Sequence, residues 1–254
     1  MNAIDLLHIA TRPAACETHG DNQSRNVFGS IWSHCPDCET IRREKEQAAK
    51  DERDRFEKQW RWERKLGHSG IPERFRNRTL ESFLADSDEK KRALDFSLEF
   101  ALMFGTKDES KGRSALFVGK PGTGKTHLAA GIGIALMEQG RSVLFYTVMR
   151  AIRRVKDTWS RESKESESEA IAALVEPDLL ILDEVGIQFG SETEKLILFD
   201  ILNERYEKRR ACILLSNLSS GEISAFLGER VIDRLREDGG EVIPFTWESH
   251  RSKS

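Results

Sequence analysis

From residue 115 onward, apolar residues come in short unbroken runs separated by longer stretches rich in helix formers. "ALFVG" (115–119), "SVLFYT" (142–147), "DLLILDE" (178–184), "ACILLSN" (211–217) and "EVIPFTW" (241–247) read as strands. Runs that are apolar at nearly every position, rather than every second one, belong to strands buried on both faces. Residues 125–139, 148–159 and 191–210 read as the intervening helices. Ser191 and Glu194 offer the last of these a capping box, and Lys208, Arg209 and Arg210 suit the negative end of its dipole. The alternation predicts an α/β fold with a parallel sheet covered by helices on both faces. The acidic, Ser-rich residues 160–169 read as a charged loop or helix extension, and by composition as a solvated linker.

The front of the chain follows a different pattern. Residues 39–66 are almost all good helix formers without Pro or Gly, and apolar positions are sparse until Phe56, Trp60 and Trp62. Phe56 and Trp60 share a helix face. Such a helix is a solvated connector or a partner-binding arm with an aromatic end. "GHSGIP" (67–72) punctuates it. Three segments follow: an N-terminal module over 1–38, a charged helix and linker over 39–70, and the α/β domain over 71–254.

Composition narrows the class. The chain has 254 residues, 33% of them charged and 38% apolar, as in a soluble folded protein. Its net charge of −3 and pI of 6.1 do not advertise nucleic-acid binding, so any such contact needs a local basic patch. No apolar run reaches the roughly 18–20 residues that span a bilayer. The first residues lack a basic n-region and hold Asp5 and His8, unlike a signal peptide, so a cytoplasmic location without membrane contact is expected.

Gly119-Lys120-Pro121-Gly122-Thr123-Gly124-Lys125-Thr126 satisfies the P-loop pattern G-x-x-x-x-G-K-[ST], after a strand and before a helix. The glycines let backbone N–H groups close around phosphate oxygens, Lys125 reaches the outer phosphates, and Thr126 offers a hydroxyl to Mg²⁺. The strand at 179–183 delivers Asp183 to its carboxyl end as the Mg²⁺ carboxylate. Glu184 beside it suits polarisation of an attacking water, which favours ATP hydrolysis. Asn217 ends the next strand, and its amide can bond the water or γ-phosphate if that strand lies beside the Asp183 strand.

Cys16-x₂-His19-x₁₅-Cys35-x₂-Cys38 supplies four ligands in two close pairs, the pattern of a structural Zn²⁺ site, with His34 as the alternative to His19. A full ligand set leaves no open position for catalysis. Without metal the segment has too few apolar groups to fold. Cys212, inside an apolar run, reads as a packed core thiol.

The P-loop, "LLILDEVG", "SNLS", "LGERVIDRLRE" and the ending "WESHRS" together resemble the AAA+ ATPases, and within them the bacterial DnaC-type replicative helicase loaders, over about residues 68–254. Transposition helper ATPases of the IstB type and DnaA-type initiators resemble the chain next. The resemblance implies an AAA+ fold, self-association through shared ATP sites, single-stranded DNA as a ligand and a replicative helicase as partner, gripped by the N-terminal region. It implies an arginine finger at Arg234, or at Arg230, and a nucleotide-contacting arginine at Arg251. It also implies that the helix after the second strand faces single-stranded DNA, through Arg150, Arg153, Arg154 and Lys156. By its residues alone that helix is amphipathic, with Val148, Ile152, Val155 and Trp159 on one face. The alternatives to a loader are an IstB-type helper and an ATP-switched DNA-binding module.

Overall fold

The computed structural model describes residues 10–106, 112–186 and 191–249. The chain packs as two units, one ending at Glu63 and the other beginning at Arg64.

In the first unit, strands β1 (Thr11–Cys16), β2 (Gly20–Phe28) and β3 (Ile31–Trp32) form a three-stranded antiparallel sheet. Cys16 pairs with Gly20 across a tight turn, and Gly20 takes a φ of 74° there that side-chain-bearing residues rarely adopt. Helix α1 (Pro36–Ser69) follows. Pro36 occupies its first turn, where a missing N–H loses no helical bond. "CPDC" thus spans the start of the helix. The helix also runs through Gly67, past the punctuation read there. Phe56 and Trp60 are 71% and 54% exposed.

In the second unit, α2 (Asp88–Met103) is capped by Ser87, whose hydroxyl accepts from the Lys90 N–H. Strands β4 (Ala115–Gly119), β5 (Val143–Thr147), β6 (Leu179–Asp183), β7 (Ala211–Ser216) and β8 (Glu241–Phe245) form a parallel sheet in the order β5-β6-β7-β4-β8. Helix α3 (Lys125–Glu138) lies on one face, so close that a Cβ on Gly133 would stand 3.2 Å from Ile181. On the other face Leu116, Val118, Leu180, Leu182 and Leu214 meet α4 (Val148–Asp157), α5 (Glu167–Val175) and α6 (Glu192–Glu207) through Ile152, Val155, Leu174, Leu198 and Ile201. Helices α7 (Ser220–Leu227) and α8 (Glu229–Arg236) complete the unit. None of the described helices is long and apolar enough to cross a membrane.

Three local expectations change. The 160–169 linker ends in a helix: Ser166 and Glu169 form a reciprocal capping box that starts α5, and Ala170, Leu174 and Val175 are buried. Trp159 falls beyond the end of α4, is 49% exposed, and donates its indole N–H to Glu167. Ser191 does cap α6, but the Glu194 carboxylate turns to Lys156 at 3.0 Å.

Arg205 on α6 is fully buried. Its guanidinium donates to the carbonyls of Leu174, Val175, Pro177 and Ala211, and its Nε to the Cys212 sulfur. It satisfies the last carbonyls of α5, which a buried helix end leaves without partners. Cys212 is a packed core thiol, 3% exposed.

Candidate functional site

Three motifs meet at one edge of the sheet because of strand order. The P-loop leaves β4, Asn217 follows β7, and Asp183 ends β6; β7 pairs with both other strands. These carboxyl ends are where open α/β sheets hold ligands.

Within the P-loop, Lys125 is 5% exposed, and its ammonium donates to the carbonyls of Gly119 (2.6 Å) and Lys120 (2.8 Å). The Thr126 hydroxyl donates to Asp183 Oδ2 at 3.2 Å, and the Glu184 N–H donates to Oδ1 at 2.8 Å. Burial pushes the Asp183 carboxyl above its usual range, against the bonds from Glu184 and Thr126 and the charges of Lys125 and Arg74. Burial also pulls Lys125 down to about 8, with Asp183 acting in the opposite direction. The exposed Glu184 sits at a φ of 66°, a left-handed conformation that costs a non-glycine residue energy and clusters at functional sites. Asn217 is exposed beside them.

The loop's shape requires glycine at two places. Gly119 has a φ of 137°, and a Cβ there would stand 2.2 Å from the Phe245 carbonyl oxygen. Gly124 has a φ of 99°, and its Cβ would meet the Phe83 ring at 2.7 Å. Phe83 belongs to a segment that sequence reasoning overlooked. His127 ties that segment to α3: its Nε2 lies 3.0 Å from the Thr79 carbonyl and 3.1 Å from the Ser82 hydroxyl. Phe83 meets the imidazole edge-on at 5.4 Å. Burial holds His127 below its usual pKa. Only its position after Thr126 hinted at this tether. The glycine-shaped cradle fits polyphosphate, and the paired Thr126 hydroxyl and Asp183 carboxylate fit Mg²⁺, a cation of oxygen ligands.

The other expected residues stand apart from this cluster or outside the described chain. Arg234, on α8, is half-buried; its guanidinium donates to the Asn203 amide oxygen and stacks 4.6 Å over Tyr206. Arg230 is exposed one turn earlier. Arg251 lies outside the described residues. On α4, Arg150 is exposed and stacks over Tyr146 at 4.2 Å, and Arg153 is exposed. Arg154 is bound to Glu165 at 2.5 Å, and Lys156 to Glu194 at 3.0 Å.

In the first unit, the β1–β2 turn presents Cys16 and His19, and the start of α1 presents Cys35 and Cys38. Their ligand atoms all lie within 4.8 Å of one another. His19 faces the sulfurs through Nδ1, 3.3 Å from Cys38 and 3.7 Å from Cys16 and Cys35. His34 is not in this group. The backbone N–H groups of His19 and Thr18 bond the Cys16 sulfur and hold its thiol down to about 6. Soft donors in this number fit Zn²⁺ and not Mg²⁺ or Ca²⁺.

The IstB-like ATP binding protein family matches residues 45–254. The replicative helicase loader DnaC of Buchnera aphidicola subsp. Baizongia pistaciae is 37% identical over 199 residues, 78% of this chain and 79% of the relative. DnaC of Escherichia coli K12 is 36% identical over 191 residues, 75% and 76% of the two chains. In structure, the chain is similar to the crystal structure of the DnaC helicase loader, with a TM-score of 0.59 and 24% identity over 68% of this chain and 99% of that one. It is also similar to the replication initiator DnaA bound to AMPPCP and single-stranded DNA, with a TM-score of 0.57 and 21% identity over 70% and 51%. With a P-loop and an Asp-Glu strand end on a five-stranded AAA+ sheet, the chain belongs to the IstB-like ATP-binding proteins, among the DnaC-type replicative helicase loaders.

Proposed function

We propose that this protein uses ATP to place a replicative helicase on single-stranded DNA. The observation that carries the reading is its identity of 36–37% with curated helicase loaders over three quarters or more of its length. The proposed assembly is an oligomer in which each P-loop is completed by a neighbour's arginine, Arg234 or Arg230.

At the ATP site, the P-loop amides and Lys125 hold the phosphates. Thr126 and Asp183 hold the metal, and Glu184 and Asn217 orient the attacking water. Bound Mg²⁺, held by Thr126 and Asp183, would supply positive charge to offset the charge that develops on the phosphates. To act as a finger, Arg234 has to leave Asn203 and Tyr206. Arg230 has no such contact to break among those described.

For DNA, Arg150 and Arg153, the two arginines of α4 without a carboxylate contact among the described residues, carry the proposed phosphate contacts; Arg154 and Lys156 are neutralised by Glu165 and Glu194. Each phosphate neutralised on a single strand contributes about −0.7 to the slope of log affinity against log salt. The double variant Arg150→Ala with Arg153→Ala is therefore expected to weaken single-strand binding and to reduce that slope by about 1–1.5. Fluorescence anisotropy of a labelled oligonucleotide across a salt series measures both; an unchanged slope removes these residues from the interface.

Residues 1–66 are proposed as the helicase-binding arm, with zinc shaping the part before α1. The reading is tested by loading the cognate ring helicase onto circular single-stranded DNA coated with binding protein. Unwinding is expected to require this protein and ATP, and to be lost with Phe56→Ala plus Trp60→Ala, which strip the exposed aromatic face of α1. Unwinding that is indifferent to the protein rejects the loader role. A wild-type-like double variant moves the helicase contact elsewhere.

A further inference from the structure

The segment after β8 straps the P-loop from outside. In the β4–β8 register Phe245 lies opposite Gly119, and its carbonyl oxygen fills the space a Cβ on Gly119 would need. Two residues later the Trp247 indole N–H donates to the Thr123 carbonyl at 2.8 Å. The indole is itself anchored: it stacks on Phe245 at 4.8 Å, and Phe245 stacks on the fully buried Phe117 of β4 at 5.2 Å.

We propose that Trp247 is a positioning residue that fixes the Thr123–Gly124 peptide so that the Gly124 N–H faces phosphate. The proposal rests on the reading of this loop as the ATP site. In a trans peptide the C=O and the following N–H point in opposite directions. Fixing the Thr123 oxygen toward Trp247 therefore turns the Gly124 N–H the other way. Nothing in the local backbone chemistry does this alone, because Gly124 at a φ of 99° has the freedom of a residue without a Cβ. Neighbouring polar groups are already committed: Lys125 takes the Gly119 and Lys120 carbonyls, and the Thr123 hydroxyl donates to that of Lys120. Thr123 is 3% exposed, so water is a poor substitute for the indole. Trp is suited to the task because its ring nitrogen only donates while its large face packs.

Trp247→Phe keeps an aromatic ring on Phe245 and removes the N–H. A single net hydrogen bond of this kind corresponds to an affinity change of about 3- to 10-fold. Isothermal titration of the full chain with ATP, ADP and inorganic tripolyphosphate is expected to show a loss of that size for all three. The KM for ATP should rise by the same factor while the rate at saturation stays within about twofold, the pattern of lost uniform binding. Tripolyphosphate carries no base, so it isolates the phosphate cradle from the rest of the nucleotide site. Equal affinities in the variant and the wild type overturn the proposal, as does a loss confined to ATP and ADP with tripolyphosphate unchanged. A wild-type chain that binds none of the three overturns the ATP reading itself. A second measurement does not depend on the variant being stable: the indole ¹⁵N–H spectrum of the wild-type chain, which has five tryptophans. Correlating each indole N–H with its own ring and backbone signals identifies the Trp247 resonance, which should shift on adding tripolyphosphate; a resonance indifferent to it contradicts the coupling.

Discussion

Glu184→Gln is expected to lower ATP turnover by a factor on the order of 10²–10⁴ while leaving ATP binding close to that of the wild type. The two adjacent carboxylates occupy different surroundings. Asp183 is largely buried and bonded to Thr126, which suits it to a metal ion held against the P-loop. Glu184 is exposed and in a left-handed backbone conformation, with its N–H bonded to its neighbour's carboxylate. Among the described contacts, its own carboxylate does not join the Asp183–Thr126 pair. The cost of a positive φ on a glutamate is of the order of 1–3 kcal/mol, tolerated where the surrounding structure over-determines it. Gln keeps the shape and the backbone strain and removes only the charge, so the substitution isolates the proposed role of the carboxylate toward water. Lys125→Ala provides the contrast: it deletes the cation proposed to hold the outer phosphates and is expected to abolish binding as well as turnover. Phosphate release at saturating ATP, with titration of a fluorescent ATP analogue, separates the two. If Glu184→Gln turns over ATP at the wild-type rate, the attacking water is oriented by another group.

The sheet was readable in advance because its strands are buried on both faces, so the apolar runs at 115–119 and 179–183 stand out without reference to their neighbours. Their order in space was not readable. It is the pairing of β7 with both β4 and β6 that sets Asn217 between the P-loop and Asp183. Helix α5 was hidden by its own start: acidic and serine residues that look like a linker are also what a helix N-terminus favours. The small sheet around the Cys/His pairs was hidden because β1 and β2 bury little; Ser24 is the one fully buried residue within those two strands. Arg205, His127 and Trp247 share a different reason. Each acts on a backbone carbonyl distant in sequence, and a carbonyl leaves no mark on the residue type that carries it.

Removing Cys35, a proposed zinc ligand, is expected to unfold the first unit and to leave the second unit folded. Strands of six, nine and two residues, with few buried side chains, cannot offset the entropy of ordering them. The four ligand atoms tie the β1–β2 turn to the start of α1. In comparable small sites zinc contributes an apparent ~10–16 kcal/mol at neutral pH, so metal binding and folding of this unit should be one event. Losing even an outer-shell partner of a zinc ligand typically costs 10–100-fold in affinity, and loss of a ligand should cost more. The second unit has its own buried core on both faces of the five-stranded sheet and needs no metal for it. The wild-type chain is therefore expected to carry one zinc per molecule. Cys35→Ser, or chelation of the wild type, should remove a thermal transition at low temperature while a separate, higher transition persists and still rises on adding ATP. Metal analysis with differential scanning calorimetry tests this directly. A metal-free wild-type chain with an intact first transition means that the strands hold themselves. A loss of both transitions together means that the two units fold as one.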